Sequence, residues 1–278
     1  MNQKSISKFL IVANEAKDVG LKYSEYTRDK IKELGGECLL IVGADSEEIG
    51  QQADNYDAII VMGGDGTMLH VSHAMGGREI PVIGVNLGTV GFLTEVVVSE
   101  IDNMLDRLLR GEYELEERMM LSGEINGETI HSLNDIVLAR ENALRIIAVK
   151  IFVNDMPFDT CEGDGIIIST PTGSTGYNLS AGGPIVKSDA KLMVMTPISP
   201  CSLSRRSIIF GMDDVIRLEL TEKRKDVPNT AIVSFDGAET IPVNVGDSVV
   251  IRMSDHKVNL IRLDGSSIYE VLRRKLGG

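Results

Sequence analysis

Apolar positions along this chain fall into two textures. Up to about residue 110, continuous apolar runs alternate with stretches of helical periodicity. The runs 8–13, 38–42, 57–62 and 80–85 are short and bounded by charged or turn residues, so they read as buried strands. Pro81 weakens only the start of the last one. Residues 17–34 offer Val19, Leu21, Tyr26, Ile31 and Leu34 as an apolar stripe closed by Gly35 and Gly36, which predicts a helix. Residues 68–75 and 99–110 read as further helices. Strands alternating with helices predict a parallel sheet covered on both faces.

Beyond Gly111 the runs shorten and turn signals separate them. Residues 119–125, 129–133, 136–140, 146–153, 208–210, 215–220, 231–235 and 248–253 read as strands, and Asn126-Gly127 between the first two predicts a tight hairpin. Residues 266–276 carry Ile268, Leu272 and Leu276 on one helical face. The expected architecture is an α/β N-terminal domain with a parallel sheet, residues 1–112, and a β-rich C-terminal domain, residues 113–261. A ligand cleft is expected between them, with the segment 262–278 returning to the first domain.

Composition narrows the partners. With 28 basic and 41 acidic residues among 278, the formal charge is −13, and no basic stripe suits nucleic acid or an anionic membrane. No apolar run approaches the roughly 18 residues of a membrane span, and the N-terminus does not read as a signal peptide, so a cytoplasmic protein is expected. Cys38, Cys161 and Cys201 are widely spaced and read as buried free thiols rather than as a disulfide framework or a zinc site.

The sharpest chemical signal is Gly63-Gly64-Asp65-Gly66-Thr67, between a predicted strand and a predicted helix. Glycines there let backbone approach an oxygen, and the first N–H groups of the helix point at it, a phosphate-binding arrangement. The lysine of a P-loop is missing from this stretch, and Asp65 stands at its centre. A carboxylate beside phosphates serves as a Mg²⁺ partner or as a base for an attacking hydroxyl; the bland alternative is a solvated cap on a glycine turn. Gly84, Gly88 and Gly91 follow at the next strand end, where open parallel sheets bind ligands. Residues 163–184 add a short buried strand and a loop dense in hydroxyls and glycines, with Tyr177 able to stack on a ring. His70 and His73, three apart on one helix, read as one site-facing and one packing imidazole rather than a metal pair.

These motifs, together with Leu133-Asn134-Asp135, the run 196–203 and Ser234-Phe235-Asp236-Gly237, resemble the NAD kinases in consistent order along nearly the whole chain. GGDGT alone is shared with lipid kinases and phosphofructokinases; the STPTGST run behind Gly163-Asp164-Gly165 is more specific. The resemblance implies Mg²⁺-dependent transfer of the ATP γ-phosphate to the 2′-hydroxyl of NAD's adenosine ribose, with Mg²⁺ or another divalent metal as cofactor and NAD and ATP as substrates. A homo-oligomer is also expected. It implies Asp65 as the catalytic carboxylate and Gly63, Gly64, Gly66 and Thr67 as the phosphate loop. Phe92 and Tyr177 would flank the adenine with Leu69 nearby, and Asn134 and Asp135 would hold the dinucleotide. Asp164 and Gly176 would meet the nicotinamide end, Thr172, Thr175 and Ser180 would add polar contacts, and Asp236 would lie near the phosphates.

The chain departs from the family where Asp135 replaces Glu, Gly176 replaces Ala, Cys201 replaces His and Arg205 stands in place of an aromatic. A lipid kinase sharing GGDGT and a non-catalytic NAD sensor are the rival readings; charge opposes the first and the presence of Asp65 the second. Asp65→Asn is expected to leave stability unchanged or slightly higher.

Overall fold

The computed structural model describes residues 3–43, 46–88, 91–141, 145–202, 204–222, 230–263 and 273. The chain divides into two compact units, Met1–Arg118 with Lys257–Gly278, and Met119–His256. In the first, β1 (Lys8–Ala13), β2 (Glu37–Val42), β3 (Ala58–Gly63) and β4 (Val82–Asn86) form a parallel sheet in the order β2-β1-β3-β4. The short β5 (Val96–Val97) pairs parallel to β4. Helices α1 (Lys22–Glu33), α2 (Ser46–Ala53), α3 (Asp65–Ala74) and α4 (Ile101–Arg110) alternate with the strands.

Every residue of β3 is buried, as is all of β1 but Lys8, which is why these strands read as unbroken apolar runs. Phe9, Ile11, Ile60, Met62 and Ile83 share one core with Ile31 of α1 and with Met104, Leu105 and Leu108 of α4. Parallel order carries the C-terminal ends of β1, β3 and β4 to one edge, so residues 14–18, 63–67 and the chain after Asn86 meet there.

The second unit is antiparallel. One sheet runs β13 (Ile208–Gly211), β12 (Leu192–Ile198), β11 (Gly165–Ser169), β8 (Asp135–Arg140), β15 (Ala231–Phe235), β16 (Glu239–Val243). The other contains β10 (Met156–Gly163), β9 (Ile147–Val153), β14 (Ile216–Thr221) and the first part of β17 (Ser248–Arg262). The hairpin of β6 (Glu114–Ile125) and β7 (Glu128–Ser132) turns at Asn126 and Gly127, both at positive φ as a two-residue hairpin requires. Ile136, Leu138, Ile166, Ile168, Val233 and Phe235 of one sheet pack with Val149, Ile151, Leu218 and Val249 of the other. Strand β11 is also covered on its outer face, where Ile167 packs with Val137 and Ile198. A continuous Ile166-Ile167-Ile168 run is the result.

Several expectations are corrected. The helix expected over 17–34 begins only at Lys22, because Gly20 and Leu21 take left-handed φ values of 69° and 55° around a single 3₁₀ turn. Val19, counted on the apolar stripe, is 84% exposed. Strands β10, β12 and β16 and helix α2 lie where no element was expected. The residues of β10 are mostly exposed, so no hydrophobic alternation marked it; it is paired through the Asn154-Asp155 turn. Strand β17 runs on to Arg262 instead of stopping near 253, and its Leu260 pairs with Val82. Of the cysteines, all free, Cys161 is buried and Cys38 half-buried, but Cys201 is exposed on the loop after β12. The expected helix at 266–276 lies outside the described residues except for Arg273, which is helical. Among the described residues no helix is long and apolar enough to cross a membrane.

Candidate active site

The chemistry of the first unit gathers where β3 ends. Gly63 is its last residue, Gly64 caps α3 in an extended conformation, and α3 starts at Asp65. Both Thr67 N–H and Met68 N–H donate to the Gly64 carbonyl (2.9 and 3.1 Å), closing the first turn. The Thr67 side chain fills the space a β-carbon on Gly63 would need. Gly66 differs: a β-carbon there would meet nothing within 4 Å, and the residue is exposed. No contact of the fold requires glycine at 66, and glycine inside a helix costs about 1 kcal/mol relative to alanine. Close approach by a ligand is the remaining physical use for it.

The Asp65 carboxylate turns onto the segment after β4. Its Oδ2 accepts the Phe92 N–H at 2.8 Å, and its Oδ1 accepts the N–H groups of Leu93 at 3.0 Å and Thr94 at 3.3 Å. A β-carbon on Gly91 would collide with this carboxylate, so glycine is obligatory there. Asp65 is thus a structural clamp as well as the candidate catalytic group. That corrects the expectation that it contributes little to the fold. Three charge-assisted hydrogen bonds cannot be lost without cost.

A second correction concerns the missing lysine. The turn after β1 returns to the phosphate loop: Asn14 Nδ2 donates to Thr67 Oγ1 at 3.1 Å, and Lys17 Nζ lies 2.5 Å from the point a Gly64 β-carbon would occupy. Lys17 belongs to no motif signature, and only the parallel register of β1 beside β3 brings it in.

 The signal that could have found it was a lone basic residue just past a β1 strand end that neighbours the glycine loop.

In the second unit the same carboxylate device recurs. Asp236, in the β15–β16 turn at φ 51°, accepts the N–H of Leu133 on Oδ2 (2.7 Å) and those of Asn134 and Asp135 on Oδ1 (2.8 and 2.9 Å). Asp135, 6% exposed, sits beside this charge. Burial first, and repulsion from Asp236 second, raise its carboxyl from the usual 3.8 to about 7. A β-carbon on Gly176 would lie 3.6 Å from Asn134 Nδ2 and 3.9 Å from Asp135 Oδ2, so residues 134, 135 and 176 share one small region.

The hydroxyl-rich loop after β11 spends most of its polar groups on itself. Thr170 Oγ1 donates to the Leu133 carbonyl (2.6 Å), Ser174 Oγ to that of Pro171 (2.6 Å), and Thr175 Oγ1 to that of Thr172 (3.2 Å). Buried Asn178 ties the carbonyls of Ser174 and Pro184 together, each at 3.0 Å, and accepts from Thr196 at 2.6 Å. Asn178, unmarked in the sequence reading, is therefore the loop's internal brace. Tyr177 is 46% exposed and Ser180 is exposed, while Thr172 is buried. Asp164 is paired with Arg140 through two contacts of 3.0 and 3.1 Å, so its charge is already balanced.

Leu69 and Phe92 are half-buried in the first unit. His70 Nε2 meets Ser46 Oγ at 3.4 Å, and among the described residues no cluster of three or more His, Cys, Asp or Glu could hold a metal ion.

The chain matches two family models: the ATP-NAD kinase N-terminal domain over residues 11–113 and the ATP-NAD kinase C-terminal domain over residues 133–263. It is 38% identical over 285 residues to the NAD kinase of Lachnoclostridium phytofermentans, covering 98% of this chain and 99% of that protein. It is 38% identical over 279 residues to that of Caldanaerobacter subterraneus subsp. tengcongensis, covering 96% and 97%. The structure is similar to yeast NADH kinase complexed with NADH, at a TM-score of 0.88 and 25% identity over 99% of this chain and 88% of that one. It also shares its fold with an NAD kinase from Archaeoglobus fulgidus in complex with ATP, at a TM-score of 0.81 and 24% identity over 97% and 98%.

Two outcomes follow from this geometry. Asp65→Asn turns an NH₂ group or a neutral oxygen toward three N–H donors and is expected to destabilise the protein by about 2–3 kcal/mol. Calorimetry of the purified variant checks this; an unchanged melting temperature would show that the clamp carries no stability. For Asp135 the folded pKa is raised, so its contribution is fully present below pH 3.8 and is lost as pH rises through about 7. Denaturant titrations across that window should therefore show a downward slope that Asp135→Asn removes.

Proposed function

The chain belongs to the NAD kinase family and phosphorylates NAD with ATP as donor, and from that premise we propose how its residues divide the work. The 63–67 loop takes the donor phosphates on its backbone N–H groups, with Gly63, Gly64, Gly66 and Thr67 shaping it. Asp65 is the catalytic carboxylate, which orients the adenosine ribose 2′-hydroxyl and accepts its proton. Asn134, Asp135, Asp164, Thr172, Thr175, Gly176, Tyr177, Ser180 and Asp236 serve the dinucleotide, with Leu69 and Phe92 lining the approach to it. The single observation that carries this reading is the open face of Gly66 at the N-terminus of α3, directly beside the clamped Asp65.

The clamp suits the chemistry. Each carboxylate oxygen offers two acceptor directions; Oδ1 uses both on N–H groups and Oδ2 uses one. One direction on Oδ2 is left for a substrate hydroxyl, and the side chain cannot swing away to take it. In a loose phosphoryl-transfer transition state the proton leaves late, so the hydroxyl needs no strong base. With its carboxyl raised to about 7, Asp135 is protonated in a large fraction of molecules near neutral pH, and in that form it can donate a hydrogen bond to a ribose oxygen, which an ionised Glu or Asp cannot. Tyr177 presents its exposed ring for stacking on the adenine.

A divalent cation fits this donor set only as a companion of the nucleotide. The described residues supply no cage, whereas Mg²⁺ is ordinarily held by one or two carboxylates together with substrate phosphates and water. Bound in that way it would neutralise charge on the phosphates, with Asp65 the nearest protein carboxylate to the loop. A cytoplasmic homo-oligomer is part of the same reading, and the acidic composition supports its lack of nucleic-acid and anionic-membrane partners.

The test is turnover and NAD affinity measured on one Asp65→Asn preparation, kept below its melting temperature. A general base is worth about 10²–10⁴ in rate, so turnover should fall by that factor while NAD binding persists. Turnover within about threefold of wild type would leave Asp65 with the clamp alone. Excess EDTA should stop the reaction in the wild-type enzyme without unfolding it. For Tyr177, replacement by Ala should raise the KM for NAD about tenfold or more, and replacement by Phe should change little. A Phe variant as poor as the Ala variant would assign the effect to the hydroxyl.

A further inference from the structure

The turn between β1 and α1 is held at both ends. Asn14 N–H donates to the Met62 carbonyl at 3.0 Å, and Asn14 Nδ2 donates to Thr67 Oγ1 at 3.1 Å, which fastens the turn to the phosphate loop. At the other end Asp18, 1% exposed, accepts the N–H groups of Tyr23 (3.0 Å) and Ser24 (2.7 Å) at the start of α1. Lys17 stands between these anchors, its own N–H bonded to the Asn14 carbonyl at 3.0 Å. Its side chain extends along the loop until Nζ occupies the space beside Gly64 that any larger residue would take.

The charge of that ammonium is unanswered. Among the described residues no carboxylate forms an ion pair with Lys17, in a chain with 41 acidic residues. The neighbouring Asp18 carboxylate is committed to Tyr23 and Ser24, and Asp65 to residues 92–94. Beside Nζ lies the N-terminus of α3, which carries about half a positive charge. Two positive features are therefore held together, and an anion is what would balance both.

We propose that Lys17 is a donor-binding residue whose ammonium grips the triphosphate of ATP over the 63–67 loop, supplying the point charge that this loop's own sequence lacks. The proposal rests on the reading that the loop holds the donor phosphates. A P-loop delivers its lysine from the helix that follows the glycines; here the ammonium comes from the adjacent strand's turn. Because the backbone of Lys17 is already held, binding orders only its side chain. The attraction acts on the donor and not on NAD.

The test is calorimetric titration of a non-hydrolysable ATP analogue into the full-length protein, paired with steady-state kinetics. Lys17 is exposed, so Lys17→Met should fold normally, with melting temperature as the control. A charge-assisted hydrogen bond to phosphate corresponds to roughly ten- to hundredfold in affinity. Lys17→Met should weaken the analogue and raise the KM for ATP by that factor, with the KM for NAD unchanged. Lys17→Arg should recover most of the loss, which a packing role would not permit. Analogue affinity and ATP KM within twofold of wild type in Lys17→Met would overturn the proposal. Gly66→Leu separates the parent reading: its side chain would enter open space and cover the loop. If Gly66→Leu also binds the analogue as wild type does, the loop is not the donor site and the reading beneath fails. If it loses binding while Lys17→Met does not, only the role of Lys17 fails.

Discussion

A carboxylate that accepts three successive backbone N–H groups is the interaction on which the candidate residues of each unit depend. Segment 92–94 and residues 133 and 134 are irregular chain, and Asp135 only opens β8, so these N–H groups lack the partners that the interior of a helix or sheet would supply. Asp65 and Asp236 supply those partners and fix each turn from outside. Each clamp imposes demands nearby. The first makes Gly91 obligatory, because a β-carbon would occupy the space of the carboxylate. The second keeps a negative charge beside Asp135, which adds to the effect of burial in raising its carboxyl to about 7.

On the proposed function, the clamp at Asp65 joins stability and chemistry in one side chain. Its charge satisfies the turn, and the same charge is what an attacking hydroxyl needs. A substitution there disturbs both, so a loss of turnover has meaning only beside a measurement of folding and of NAD binding. The loop after β11 follows a different plan. Its hydroxyls and the buried Asn178 amide hold its own backbone, leaving the Tyr177 ring outward. Rigidity in such a loop lowers the entropy that any ligand's binding would cost.

Continuous apolar runs in the first half and shorter ones in the second were enough to indicate a parallel sheet with helices and a β-rich part. Two-face burial of β1 and β3 and the Asn126-Gly127 turn leave direct marks on sequence. Strands such as β10, exposed at most positions, leave none, because they are recruited by pairing rather than by burying side chains. The break before Lys22 was hidden for a related reason: an apolar stripe does not reveal left-handed φ at Leu21.

For the site, the sequence determined which groups exist: a glycine loop with a central carboxylate, a hydroxyl-rich loop, and an order of motifs matching a known family. Those are local facts, carried by neighbours in the chain. Tertiary structure decided what each group is attached to. It turned Asp65 onto residues 92–94, set Asp236 beneath 133–135, balanced Asp164 with Arg140, and brought Lys17 to Gly64. These partners are far apart in sequence, and hydrogen bonds and charges act over a few ångströms of space. Only the register of the strands makes them neighbours.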